Sequence, residues 1–172
     1  LALHEAAMVG VETSQDVWRR AQTYWLNQQH SSGGFGYVAG NLPSGSMTCA
    51  GISSLIIVEE NLGETLPVVN GRLQCCSPQD DSIALRRAIE FWGTRFAARF
   101  NPTGPNDVGK HYLFYYLYGV ERAGRLSGRR FFGDHDWYRE GVDYLLQRQQ
   151  PVSGAWVGAS QIAEAQGEIA TS

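Results

Sequence analysis

Residues 149–158 read QQPVSGAWVG, and residues 28–37 read QQHSSGGFGY. Each stretch sets a glutamine pair at the end of an amphipathic run, then a glycine, then an aromatic ring two residues later. As spacing, the two are Gln150-x-x-x-Gly154-x-Trp156 and Gln29-x-x-x-Gly33-x-Phe35. A pattern written twice makes an internal repeat the first question to ask of the chain.

The segments before these turns match one another. WRRAQTYW (18–25) aligns with LRRAIEFW (85–92), and YREGVDYLLQRQQ (138–150) follows WRRAQTYWLNQQ in its aromatic and arginine positions. Each carries apolar residues at helical spacing: Val17, Ala21, Tyr24 and Trp25; then Ile83, Ala88, Phe91, Trp92 and Phe96; then Val142, Leu145 and Leu146. Start signals stand before each. Thr13 precedes Asp16 by three residues, Ser77-Pro78-Gln79-Asp80 orders a cap, a first-turn proline and an acid, and Asp134 and Asp136 suit the third helix start.

Between them lie segments of another character. SGSMTCAGISSLIIVEE (44–60) carries no charge until Glu59, and KHYLFYYLYGVERAG (110–124) is aromatic with charges only at its ends. Helices apolar all round are surrounded by other helices. The pattern predicts half-buried outer helices alternating with buried inner ones, at about sixty residues per pair. The expected organisation is one all-α domain over 1–172 of three α-hairpins, roughly 13–61, 77–125 and 134–172, after the tail of an earlier helix over 1–10. LALHEAAMVG opens in mid-pattern and GEIATS stops where a helix begins, so both ends read as cut. The connection NLGETLPVVNGRLQCCS (61–77) carries Leu66, Val68, Val69 and Leu73, which predicts that it packs down.

On these residues the chain resembles the squalene–hopene cyclase and prenyltransferase superfamily, whose α/α barrel carries repeated Gln-x-x-x-Gly-x-Trp motifs. The resemblance spans the chain but supplies only about half of such a toroid. It implies that Gln29, Gly33, Phe35, Gln150, Gly154 and Trp156 are scaffold. The glutamine would bond backbone at the next helix start, the glycine would allow the turn, and the ring would pack beneath. The middle segment, FNPTGPND, lacks the motif. So do the family's catalytic signatures: no Asp-x-Asp-Asp acid motif, no Asp-x-Cys zinc spacing and no Asp-Asp-x-x-Asp magnesium motif is present.

The candidate site lies in DVGKHYLFYYLYGVERAG (107–124). Helical spacing puts His111, Tyr115, Tyr118 and Arg122 on one face, and Tyr112, Tyr116 and Gly119 on the adjoining one. Tyr112, Tyr115 and Tyr116 are the expected ligand-lining residues, and His111 is the catalytic candidate because its proton range suits transfer. Aromatic faces of this kind stabilise cations or pack against apolar chains. The resemblance implies an apolar isoprenoid as the ligand. Core packing of the same tyrosines is the plainer reading, and Asp107 is expected to cap the helix.

Bulk properties narrow the alternatives. Apolar residues at 43% against 18% charged suit a buried core rather than disorder. A net charge of −3 gives no case for nucleic acid, and no apolar run approaches the about 18 residues of a membrane span. Cys49, Cys75 and Cys76 are odd in number with two adjacent, supporting neither a disulfide framework nor a zinc site. The pattern calls for no metal and no cofactor. Asp134-His135-Asp136 reads as helix capping rather than a metal or acid site. Two other classes stay open: an interaction scaffold that self-associates through exposed arc edges, and a carbohydrate-active toroid. For the latter only Asp107 and Glu121 qualify as acids, and they lie too far apart. The cysteine usage mildly favours a reducing compartment, and with no signal or membrane segment in view the localisation stays open.

Overall fold

The computed structural model describes residues 1–63, 82–103 and 112–156, with the backbone of 68–69 and 72–73. Among the described residues the chain is mostly helical, as its patterning predicts. In order come α1 (Ala2–Met8), α2 (Gln15–Gln28), α3 (Gly45–Leu62), α4 (Ile83–Gly93), α5 (Leu113–Ser127) and α6 (Trp137–Arg148). Two small antiparallel ladders interrupt them. β1 (Val68–Val69) pairs with β2 (Arg72–Leu73), and β3 (Phe131–Phe132) pairs with β4 (His135–Asp136).

α3 is the centre of the packing. Its first charged residue is Glu59, so nearly every face can lose water without stranding an ion. Cys49, Ile52 and Leu55 are fully buried, and the helix packs chiefly on α5, then on α2 and α4. Ser44 caps its start by accepting from the Met47 amide at 3.2 Å, and Gly63 ends it in the left-handed region at φ +71°. α2 and α6 are amphipathic by contrast: α2 buries only Trp18, and α6 only Trp137. The main core gathers Phe35, Ile52, Leu55, Trp92, Tyr116 and Phe132. A smaller cluster of Trp18, Ile57 and Val58 joins α2 to the far end of α3.

Several expected starts move. α2 is preceded by Ser14, not Thr13, with no side-chain cap bond. α4 begins after Ser82, whose hydroxyl accepts from the Leu85 amide at 3.2 Å; Ser77–Asp80 lies outside the described residues. Of the two aspartates before α6, Asp136 is the cap, accepting from the Arg139 amide at 3.2 Å. Asp134 instead sits in the two-residue turn of the β3–β4 hairpin beside Gly133, whose φ of +57° suits that tight connection. The Asp-His-Asp run therefore makes a hairpin and a cap. The long connection contributes the β1–β2 ladder, and Cys75 and Cys76 lie outside the described residues, as does the third inner segment (157–172).

FNPTGPND is not idle. Asn101, 5% exposed, accepts from the Ser46 amide at 3.0 Å and donates to the Ser46 hydroxyl at 3.2 Å. The stretch after α4 thus ties down the start of α3.

Candidate functional site

The two glutamine turns share one hydrogen-bond plan. In the first, the Gln29 carboxamide donates to the Gly33 carbonyl, the His30 amide to Gly34 and the Gly33 amide to His30, at 2.8, 2.9 and 2.8 Å. In the second, the Gln149 carboxamide donates to the Gly154 carbonyl, the Gln150 amide to Ala155 and the Gly154 amide to Gln150, at 2.8, 2.9 and 2.9 Å. Gln29 and Gln149 are both the C-cap residues of their helices, with matching extended backbone. The spacing assigned Gln150 to this role, and the structure corrects it to Gln149. The second turn is one residue longer, so counting back from glycine lands one position late. Gln150 takes the place of His30, and its side chain accepts from the Ser153 hydroxyl at 2.7 Å.

The turns differ in what they grip. Gln29 also donates to the Ala84 carbonyl at 2.8 Å, joining the end of α2 to the first turn of α4. Gly33, at φ +102°, lies so close to the Arg87 carbonyl that a methyl group would overlap it. Phe35 is fully buried, seated over Gly51 with its amide donating to the Thr48 hydroxyl at 3.1 Å. Gln149 has no second partner among the described residues. Trp156 is half-buried and donates from its indole to the Leu145 carbonyl at 2.7 Å. The first turn also sets the His30 ring nitrogen 2.8 Å from the Ser32 hydroxyl.

The tyrosine segment divides more sharply than its spacing suggests. Tyr116 is not ligand-lining: it is fully buried, and its hydroxyl accepts from the Trp92 indole at 3.3 Å. Burial pushes its phenol well above the ordinary range, so it stays protonated. The stripe Leu113, Tyr116, Val120 and Ala123 is the core face of α5. Tyr112 does not share that stripe. It is the residue before the helix, left-handed at φ 57° and half-exposed, so the turn carries it away from Tyr116. His111, Lys110 and Asp107 lie outside the described residues.

Tyr115 remains at a site, and Tyr118 joins it. With Arg122 and Gly119 they line one side of a groove of about 190 Å3, and Ser46, Cys49, Ala50, Ser53 and Ser54 of α3 line the other. α5 comes close because Gly119 has no side chain against Cys49. Both tyrosines are half-exposed, and Arg122 donates to the Tyr118 hydroxyl at 3.0 Å, its guanidinium over the ring at 5.2 Å. That bond is the main reason Arg122 holds its proton even more firmly than usual. At the floor, burial raises the Cys49 thiol, which keeps it neutral. The Ser53 hydroxyl is buried with no partner among the described residues. Among the described residues no carboxylate or imidazole lines the groove.

Among the described residues no three His, Cys, Asp or Glu side chains converge as metal ligands, and no helix is long and apolar enough to cross a membrane. No family model, curated protein or solved structure matches the chain.

Proposed function

We propose that this chain is an arc of an α/α toroid of the squalene-cyclase and prenyltransferase type, and that its concave side holds part of an apolar isoprenoid chain. The observation that carries the reading is the groove between α3 and α5. Two half-exposed tyrosine rings face a floor of small side chains on α3, the most apolar helix among the described residues. Its volume of about 190 Å3 is below the about 300–1,000 Å3 of whole-ligand pockets. It therefore suits one end of a prenyl chain, not a folded triterpene. Among the described residues its lining carries no acid, which agrees with a binding surface in place of cyclisation.

Titration with farnesol, followed by protein NMR, tests this directly. Saturable shifts at Tyr115, Tyr118 and Gly119 are expected, weakened about tenfold or more by a Tyr115→Ala/Tyr118→Ala double variant. Both rings are half-exposed, so the variant should melt near the parent. Shifts scattered over the surface, or equal binding by the variant, would sink the proposal. An interaction scaffold is the second reading, favoured by the half-buried Trp156 and the exposed Gln149 at the end of α6, where the first turn has a fully buried ring and a bond to α4. It predicts no farnesol binding at all.

A further inference from the structure

The junction after α4 differs from the junction after α2 in a way that the isoprenoid reading does not use. After α2, Gly33 and Gly34 press onto Arg87 and Phe91 of α4, leaving no space. After α4 the C-cap is Thr94, with no glutamine. A cavity of about 410 Å3 lies there, between Phe96–Phe100 and the face of α6 that carries Glu140, Asp143, Tyr144 and Gln147. Three of those positions follow at i, i+3 and i+7, so one helix presents a column of planar polar groups beside a ring.

The chemistry of the walls selects a ligand class. Glu140 and Asp143 offer acceptors, Arg99 donors, and Gln147 both. Charge is nearly balanced. Arg99 shares the lining with the two carboxylates, Arg139 lies 3.9 Å from Asp143, and the Arg148 guanidinium stands over the Tyr144 ring. A strongly charged ligand would find no uncompensated counter-charge. Phe96, 6% exposed, is taken up by Trp92 and His135. Ring surface comes from Phe100, 44% exposed at the rim, and from Tyr144, over whose ring the Arg148 guanidinium stands at 5.6 Å. Paired donors and acceptors beside ring faces match a molecule with adjacent hydroxyls and apolar C–H faces. The volume falls in the range of small-ligand sites. We propose that this cavity is a binding site for a neutral saccharide of one or two sugar units.

The inference stands apart from the groove between α3 and α5, since none of the residues is shared. It is tested on the full chain by calorimetry and saturation-transfer NMR with cellobiose, maltose and N,N′-diacetylchitobiose. At least one should bind saturably. The Asp143→Ala/Gln147→Ala variant, at the more exposed positions of the column, should bind it about tenfold more weakly or worse. Tyr115→Ala should leave the saccharide affinity unchanged. Melting curves check that each variant is folded, and Phe100→Ala serves if the first variant is not. Failure of all three disaccharides to bind, or undiminished binding by both cavity variants, overturns the proposal. So does displacement of the sugar by tetramethylammonium or inorganic phosphate, which would make the cavity a charge site.

Discussion

The turn after α2 and the turn after α6 have the same backbone bonds and unequal surroundings. In the first, one glutamine amide spends both hydrogens, on Gly33 and on Ala84 of α4, and the ring beneath is fully buried. In the second, the amide spends one hydrogen, on Gly154, and the ring is half-buried. The motif itself is thus a local fold, sufficient to bend the chain. What it contributes to stability depends on the helix it reaches.

The largest expected effect separates the two rings. Phe35→Ala opens space against Gly51, Trp25 and the core, and should cost about 3–5 kcal/mol in chemical denaturation. Trp156→Ala removes a half-buried ring and one indole bond, and should cost about 1–2 kcal/mol. Equal losses would break the comparison by giving the second turn a neighbour as complete as the first.

The next effect tests the glutamines. Gln29→Ala strands two carbonyls and unties α2 from α4, for about 1–2 kcal/mol. Gln149→Ala, at an exposed site with one bond, should cost no more than about 0.5–1 kcal/mol. Gln150→Ala serves as the register control and should cost less than Gln149→Ala. The reverse order would restore the register that spacing alone suggests.

That register shows where sequence reading succeeds and where it stops. Periodicity finds α2, α4 and α6, and the uncharged run finds α3, because each reflects which faces lose water. A turn length is a smaller signal. One added residue, 151–153 in place of 31–32, moves the clamp from Gln150 to Gln149 without altering the helix before it. The tyrosines fail for a related reason. A helical wheel extended to Tyr112 pairs it with Tyr116, but the helix starts at Leu113, and Trp92 draws Tyr116 inward by a bond no spacing records. The α6 column of Glu140, Asp143 and Gln147 carries no signal of its own in the sequence, and only the cavity beside Phe96–Phe100 distinguishes it from ordinary solvated surface.

The smallest expected effect asks whether the two helices that carry the turns are equally anchored at their other ends. α2 begins at Ser14 with no side-chain cap bond, whereas α6 begins at Asp136, which caps Arg139 and meets Arg130 at 2.9 Å. The Arg139 amide, then the Arg130 bond, hold the Asp136 carboxyl below its ordinary value. A depressed carboxyl contributes stability that is present above its unfolded value, about pH 4. That contribution is lost as pH falls through the lower folded value. Acid should therefore loosen α6 before α2. Hydrogen exchange at the Gln150 amide, bonded to Ala155, should speed up relative to the His30 amide, bonded to Gly34, as pH drops below about 4 once intrinsic rates are divided out. Asp136→Asn keeps a capping oxygen but removes the charge, so it should flatten that pH dependence while the helix still forms. If the ratio of the two rates keeps its slope in the variant, the acid sensitivity of α6 does not arise at Asp136.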